Sequence, residues 1–329
     1  MLQPLVVGLG RAGAGLHLRV LAQSRAAQQE LFTSGPVIAC DPRPDAVSRR
    51  PDVTTADSLE SAVALVDPLS TVAHVCTPPV ARIGVISELA DHGITRFIVE
   101  KPLAAGRNEL DAIDRIRRAR GLDLVVVAHW LSAELTRRLA ELVGGGDLGA
   151  LRSISFAQHK PRFSRSTATA GHPTAFDVEI PHSLGVVLRL AGPAEVVESH
   201  CADMRIGART VPGMGGARLV LRHRSGVVTE IRSDLTSPVQ ERRIRLDFER
   251  GSAIGHFPLS EHDDHAQLTI GTEHHVFRDD ALTAFVTDAY RRFHVPGASA
   301  ESDFALHLDA VRLICDAKDK AVQAREVPA

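Results

Sequence analysis

Glu100-Lys101-Pro102 directly follows the strand-like run Ile94 to Val99. That spacing puts an ammonium at the end of a strand, where α/β sheets collect their ligands. The chain carries 4 lysines against 34 arginines, so a lysine at this point is a distinctive choice. An ammonium is a compact point charge that can release a proton when partly buried, whereas guanidinium stays charged and forks to two acceptors. Lys101 is therefore a candidate for holding charge at a reacting oxygen. The bland alternative is a surface cation ahead of a helix-starting proline.

A second constellation, Gly8-Leu9-Gly10-Arg11-Ala12-Gly13, is a G-x-G-x-x-G pattern between a strand-like run and a helical one. The first glycine allows the tight turn, the second lets a pyrophosphate approach the backbone, and the third permits close helix packing. Amides at the start of the helix, those of Arg11, Ala12 and Gly13, then face the phosphates. Asp41 closes the second strand-like run, where a carboxylate can accept from both hydroxyls of an adenosine ribose. Asp41 favours NAD, and Arg43 two residues on keeps NADP open. The Thr77-Pro78-Pro79 turn and Glu100 border the same predicted crevice.

The elements that must position these residues alternate. Strands are predicted at Leu5 to Leu9, Val37 to Cys40, Thr71 to Cys76, Ile94 to Val99 and Asp123 to Ala128. Helices are expected from Gly10 to about Gln29, Ser58 to Val66 with Asp57 as cap, Val80 to His92 and Asn108 to Arg120. The rhythm predicts a Rossmann-type, doubly wound parallel sheet over residues 1–125. From Leu131 it changes. A helix to Val143 meets Gly144-Gly145-Gly146, and the runs Leu151 to Gln158, Ala217 to Arg222, Gly226 to Ser233 and Arg242 to Phe248 predict an α/β domain with a largely antiparallel open sheet. Arg224-Ser225-Gly226 reads as a hairpin turn. Residues 126–329 are expected to bind substrate and to form a homo-oligomer, dimer or tetramer, through an apolar sheet face left open on one side.

Composition narrows the partners. With a net charge of -2 and interspersed acids and bases, there is no basic stripe for nucleic acid. No apolar run reaches the roughly 20 residues of a membrane span. No basic N-terminal region precedes an apolar stretch with a cleavage site, so a cytoplasmic location is expected. Cys40, Cys76, Cys201 and Cys315 stand without paired spacing and read as reduced thiols. His256, His262, His265, His274 and His275 lack a regular ligand spacing, so no metal is expected there.

The glycine pattern, Cys76-Thr77-Pro78-Pro79, Glu100-Lys101-Pro102 and the stretch His182 to Gly192 occur in the order found in the Gfo/Idh/MocA oxidoreductases, which include glucose-fructose oxidoreductase and inositol dehydrogenases. The chain resembles that family over nearly its whole length. The resemblance implies NAD(P)-dependent oxidation of a secondary hydroxyl of a sugar, amino sugar, sugar phosphate or cyclitol, or reduction of the matching ketone. It also implies that Lys101 and His182 face the nicotinamide. Where many relatives carry aspartates four before and three after the histidine, this chain has Val178 and Gly185, with Asp177 and Glu179 flanking the missing acid. Arg82 replaces a histidine often seen after the Thr-Pro turn, and His129-Trp130 stands where an aromatic-arginine segment is usual.

Alcohol oxidation needs a base for the hydroxyl proton while hydride leaves the same carbon. His182, with an ordinary imidazole pKa near 6.5, suits that role, and Glu179 or Asp177 could steady its charge or hold substrate. Lys101 would stabilise charge developing on the oxygen. His129 and Arg162 are further candidate substrate contacts, Arg162 in a loop from His159 to Pro173 that reads as mobile. Two other readings stay open: a redox-neutral NAD-dependent glycoside hydrolase and a non-catalytic dinucleotide-binding regulator.

Overall fold

The computed structural model describes residues 1–43, 45–46, 50–168, 172–260, 263–295 and 301–326. The chain forms two units, one of Met1–Val127 with Leu282–Leu308, the other of Ala128–Ala281 with Asp309–Ala329. A single division after residue 125 therefore misses a return of the chain to the first unit. The cause is legible in packing. Phe285, Val286, Ala289, Tyr290 and Phe293 form one helical stripe, and they are buried in the same apolar cluster as Val20, Leu21 and Phe32.

In the first unit, strands β1 (Gln3–Val7), β2 (Val37–Cys40), β3 (Val53–Ala56), β4 (Thr71–Val75), β5 (Arg96–Val99) and β6 (Asp123–Val126) pair in the order β3-β2-β1-β4-β5-β6, all parallel. β1, β2 and β4 are buried along almost their whole length, as strands covered on both faces must be. Successive strands run outward from β1 in one direction and then from β4 in the other, which opens a crevice at their carboxyl ends. The helices are α1 (Leu18–Ala27), α2 (Leu59–Val63), α3 (Arg82–Asp91) and α4 (Arg107–Ala119). The cap of α2 is Ser58, whose Oγ accepts from Ser61 N, rather than Asp57. β3 escaped the sequence reading because its four residues, Val-Thr-Thr-Ala, carry no alternating pattern.

In the second unit, α5 (Glu134–Gly145), β7 (Leu151–His159), α6 (Phe163–Ala168), α7 (Ile180–Ala191), β8 (Ala194–Ile206), β9 (Arg209–His223), β10 (Val228–Asp234), β11 (Glu241–Phe248), β12 (Gly251–His256), β13 (His265–Ile270) and β14 (Glu273–Arg278) follow in sequence. The sheet order is β14-β13-β12-β11-β7-β10-β9-β8, antiparallel except at β7–β10. The predicted hairpin joins β9 to β10, with Gly226 at φ 88 where a side chain would be strained. α6 occupies part of the expected loop from His159 to Pro173, of which 169–171 lie outside the described residues. Helices α8 (Ala281–Phe293) and α9 (Glu301–Glu326) complete the chain.

α7 covers one face of this sheet, where Ile154, Phe156, Ile231, Ile244 and Leu246 are sealed from solvent. The opposite face is polar. Arg218 pairs with Glu198 and Glu230, and Arg245 pairs with Asp247. The open apolar face from which self-association was expected is therefore not what this side presents. Among the described residues no helix is long and apolar enough to cross a membrane.

α5 begins without a capping side chain of its own, since its N-cap is Ala133. Asp279 supplies the missing acceptors, taking hydrogen bonds from Glu134 N at 2.9 Å and Leu135 N at 3.1 Å. Replacing Asp279 by Ala should cost about 1–2 kcal/mol, the usual worth of an N-cap. Denaturant unfolding of the two proteins checks this, and an unchanged midpoint would remove the capping role.

Candidate functional site

The turn after β1 is shaped by close backbone contact. A Cβ on Gly13 would stand 1.9 Å from Gly8 O, and one on Gly8 would meet Cys76 C at 3.0 Å with φ already at +94. Gly10, by contrast, faces open space, the condition for a phosphate to approach its backbone. The segment Arg11–His17 is a π-helical turn, in which Leu18 N bonds to Gly13 O before α1 begins. At the end of β4, Thr77 Oγ1 is buried without a hydrogen-bond partner. An orphaned hydroxyl beside a glycine cradle fits a ligand rich in acceptors.

Asp41 is more committed than its sequence position suggests. Its Oδ2 accepts from Leu9 N at 2.7 Å and from Arg43 Nη2 at 2.9 Å, and its Oδ1 accepts from Arg43 N and Nε at 3.0 and 2.9 Å. The Arg43 hydrogen bonds hold the carboxyl below its ordinary range. All of its acceptor positions are thus filled. Ribose hydroxyls could reach it only as the half-exposed Arg43 side chain swings aside.

Glu100, almost fully buried, accepts from Lys101 N at 3.1 Å through Oε2 and faces His17 Nε2 at 3.2 Å through Oε1. His17 Nδ1 lies 2.8 Å from His74 Nδ1, and His74 Nε2 lies 2.9 Å from the Tyr290 hydroxyl. Two facing Nδ1 atoms require one donor and one acceptor. Burial alone would lower the His17 pKa, but Cys76 and Glu100 outweigh it and push it up to about 10. Burial, then the charge on His17, drives His74 well below its ordinary value. His17 is therefore the imidazolium and donates from both nitrogens, while neutral His74 accepts at Nδ1 and donates to Tyr290. Buried Arg82 completes the surround, donating from Nε to Thr77 O at 3.1 Å and from Nη1 to Pro102 O, with its pKa lowered by burial to about 10. The sequence reading passed over His17 and His74. A histidine in the middle of the buried run Thr71 to Cys76 was the available signal, because it must find a partner.

In the second unit, His182 sits in the first turn of α7 beside Pro181, its backbone N–H bonded to Glu179 O at 3.1 Å. Its ring packs 4.8 Å from His129 and 5.3 Å from Trp130. Trp130 in turn stacks on Phe257 at 4.3 Å and lies parallel to Phe156 at 5.7 Å. The imidazole therefore leans on an aromatic stack that is anchored in the sheet. The structure brings His129 and His182, both candidate site residues, into ring contact.

The two acids before α7 part company. Glu179, 7% exposed, holds Lys160 Nζ and accepts a long hydrogen bond of 3.5 Å from Gln158 Nε2. Asp177 closes a capping box with Thr174 through Oδ2 and takes Lys318 Nζ at 2.5 Å through Oδ1. Both Asp177 oxygens thus have partners within the second unit, one in the capping box and one in the Lys318 ion pair. Arg162 is also turned inward. It is buried just ahead of α6 and donates from Nη1 to Ser166 Oγ on that helix. In the histidine-rich stretch, His265 bonds Asp263 and His274 bonds Thr269 on exposed hairpins, and His262 lies outside the described residues.

Replacing His17 by Gln leaves Glu100 buried opposite a neutral partner, at a cost of roughly 3 kcal/mol. His17 binds its proton more tightly folded, at about 10, than unfolded, near 6.5. Its stabilising charge is therefore fully present below the unfolded value and is lost as pH rises through the folded one. In denaturant melts the gap between the wild type and H17Q should be widest just below pH 6.5 and shrink toward pH 10. A gap that ignores pH would mean that His17 is neutral.

No protein-family model matches the chain. No curated protein matches it either. Solved structures do match. A 3-ketoreductase from Actinomadura kijaniata in complex with TDP-benzene and NADP is 16% identical over 96% of each chain, with a TM-score of 0.77. An NAD binding oxidoreductase from Klebsiella pneumoniae is 14% identical over 98% of each, with a TM-score of 0.80. Levoglucosan dehydrogenase in complex with NADH and levoglucosan is 15% identical over 98% of this chain and 97% of its own, with a TM-score of 0.76. At such identities what is shared is the fold, a parallel nucleotide-binding type of sheet followed by a mostly antiparallel one.

Proposed function

We propose that this protein is an NAD(P)-dependent oxidoreductase of the Gfo/Idh/MocA type, acting on a CH–OH group of a sugar-like substrate or on the matching ketone. The observation that carries the reading is the crevice of the first unit, where a glycine turn at a switch point, the unpartnered Thr77 hydroxyl and a lysine anchored through Glu100 lie at the ends of adjacent strands. Two neighbours in fold, a 3-ketoreductase bound to TDP-benzene and NADP and levoglucosan dehydrogenase bound to levoglucosan, support the substrate class.

The backbone at Gly8, Gly10, Arg11, Ala12 and Gly13 would hold the pyrophosphate, Thr77 and Pro78 would border it, and Asp41 with Arg43 would receive the adenosine ribose. The dinucleotide supplies a hydride acceptor or donor. His182 takes the hydroxyl proton in oxidation and returns it in reduction, with its ring plane set by Trp130 and His129. Lys101 stabilises negative charge on the substrate oxygen. Glu179 acts with Lys160 as a neutralised pair at the start of the His182 helix. Self-association through the ion-paired outer face of the second sheet belongs to the same proposal, and light scattering tests it.

Purified protein with NAD or NADP and a panel of sugars, sugar acids, sugar phosphates, inositols and amino sugars should produce reduced-nicotinamide absorbance with at least one pair. Lys101→Met and His182→Ala should each lower that turnover about 10²- to 10⁴-fold while leaving dinucleotide binding intact. Normal turnover in both variants would sink the assignment. Arg43→Ala should weaken NADP roughly tenfold or more and leave NAD unchanged or tighter, since the guanidinium that now forks onto Asp41 is the group this turn would offer a 2′-phosphate. Equal losses for both cofactors would argue against Arg43 as the discriminator.

A further inference from the structure

The face of the second sheet that lies under α7 is largely apolar, and where it buries Thr229 and His223 the two satisfy each other by a 2.8 Å hydrogen bond. Across β7, β10 and β11 one layer reads Ile244, Phe156, Ile231, all sealed. Two residues along, the same inward positions become Arg242, Gln158 and Ser233, which are neighbours by register. Phe257 continues the row, bonding to Arg242 O at 2.9 Å. Unlike the Thr229–His223 pair, this row of three polar side chains keeps buried atoms without partners, which costs desolvation energy that folding alone does not return.

Arg242 is the member least accounted for. Its Nη1 donates to Pro258 O at 2.5 Å and its guanidinium lies 5.9 Å from the Trp130 ring, the same ring that His182 packs against. Among the described residues no carboxylate lies within ion-pair distance of it. Glu179 is the acid that acts on it electrostatically, and that acid is already held by Lys160. Arg242 is thus a largely buried guanidinium with a carbonyl partner and no carboxylate in direct contact. Behind it, Gln158 Oε1 and Ser233 Oγ are buried with no hydrogen-bond partner, in residues 1% and 3% exposed. Gln158 Oε1 can only accept, but the Ser233 hydroxyl can donate, and together with a guanidinium that meets no carboxylate it suits a ligand carrying both an anionic oxygen and hydroxyl groups.

We propose that Arg242, supported by Lys160, binds an oxyanion group of the substrate, so that the sugar-like molecule is an acid: a sugar carboxylate or a sugar phosphate rather than a neutral sugar or cyclitol. This rests on the oxidoreductase reading for its mechanism, but its geometry lies wholly within the second unit. A guanidinium pairs with either group through two parallel N–H···O bonds, and the planar carboxylate and the tetrahedral phosphate share that chemistry. Anchoring the charged end at Arg242 would present the remaining hydroxyls toward the aromatic stack on which His182 rests.

Trp130 is the single tryptophan of the chain, so its fluorescence reports this site directly. Titrations of the full-length protein, with and without NAD+, would use D-gluconate, glucose 6-phosphate and glucose as probes. At least one of the two anions should perturb the Trp130 emission and bind roughly tenfold or more tightly than glucose, and Arg242→Met should erase that preference. Gluconate alone succeeding assigns a carboxylate, and glucose 6-phosphate alone assigns a phosphate. Glucose binding as well as both anions, or R242M keeping the preference while folded, overturns the proposal. Should R242M fail to fold, the wild-type comparison still decides, and R242K should retain part of the preference. Absence of NADH binding with the anion preference intact would count against the oxidoreductase reading and leave this subsite standing.

Discussion

The contact between His17 and Glu100 is the constraint on which the first unit's crevice depends. His17 closes the π-helical turn that follows the glycines, and Glu100 follows β5 and begins the turn that carries Lys101. Their ion pair ties these two segments together beneath the sheet's carboxyl edge. A pair this buried is costly unless every remaining donor and acceptor is used. Here they are used: Glu100 also accepts from the Lys101 amide, and His17 passes its second N–H to His74, which passes its own to Tyr290. Removing one member would leave a charge or a donor stranded, so the network specifies position as much as it adds stability.

That chain of hydrogen bonds also explains why α8 belongs to the first unit. Its apolar stripe would be satisfied by many hydrophobic surfaces, but Tyr290 is fully buried and its hydroxyl needs a polar partner. His74, in the middle of β4, is that partner, and Phe32 packs against the same ring at 4.3 Å. Hydrophobic burial draws the helix in, and one hydrogen bond fixes how it lies.

The second unit uses a different device. Two of the four lysines neutralise the two acids ahead of α7: Lys160 holds Glu179 and Lys318 holds Asp177. A single flexible ammonium can settle each carboxylate without the planar demands of guanidinium, which suits a crowded helix start. The His182 ring then packs against the flat surfaces of His129 and Trp130. Gly185, where the resemblance leads one to expect an aspartate, faces Leu131 at 3.6 Å, so the space for a side chain there is already bordered by hydrocarbon. Arg242 is left with a backbone carbonyl, Pro258 O, as its hydrogen-bond acceptor and, among the described residues, no carboxylate within ion-pair distance.

The strand-helix alternation, the glycine turn, the Glu-Lys-Pro triplet and the change to an antiparallel sheet were all legible in the amino-acid order, because each depends on local periodicity or on residues adjacent in the chain. β3 and the far edge of the second sheet were harder to read, since short or two-sided polar strands carry little pattern. The fates of Asp177, Glu179 and Arg162 were beyond reach. They turn on partners 141, 19 and 4 residues away, and only folding chooses among many available cations and hydroxyls. The same holds for the protonation of His17 and for the backbone carbonyl, rather than a carboxylate, that Arg242 meets. Sequence alone determined which chemical groups this protein owns and which strands carry them; tertiary structure decided which of those groups neutralise one another and which are left over, because charge compensation is set by distances that only the packed chain defines.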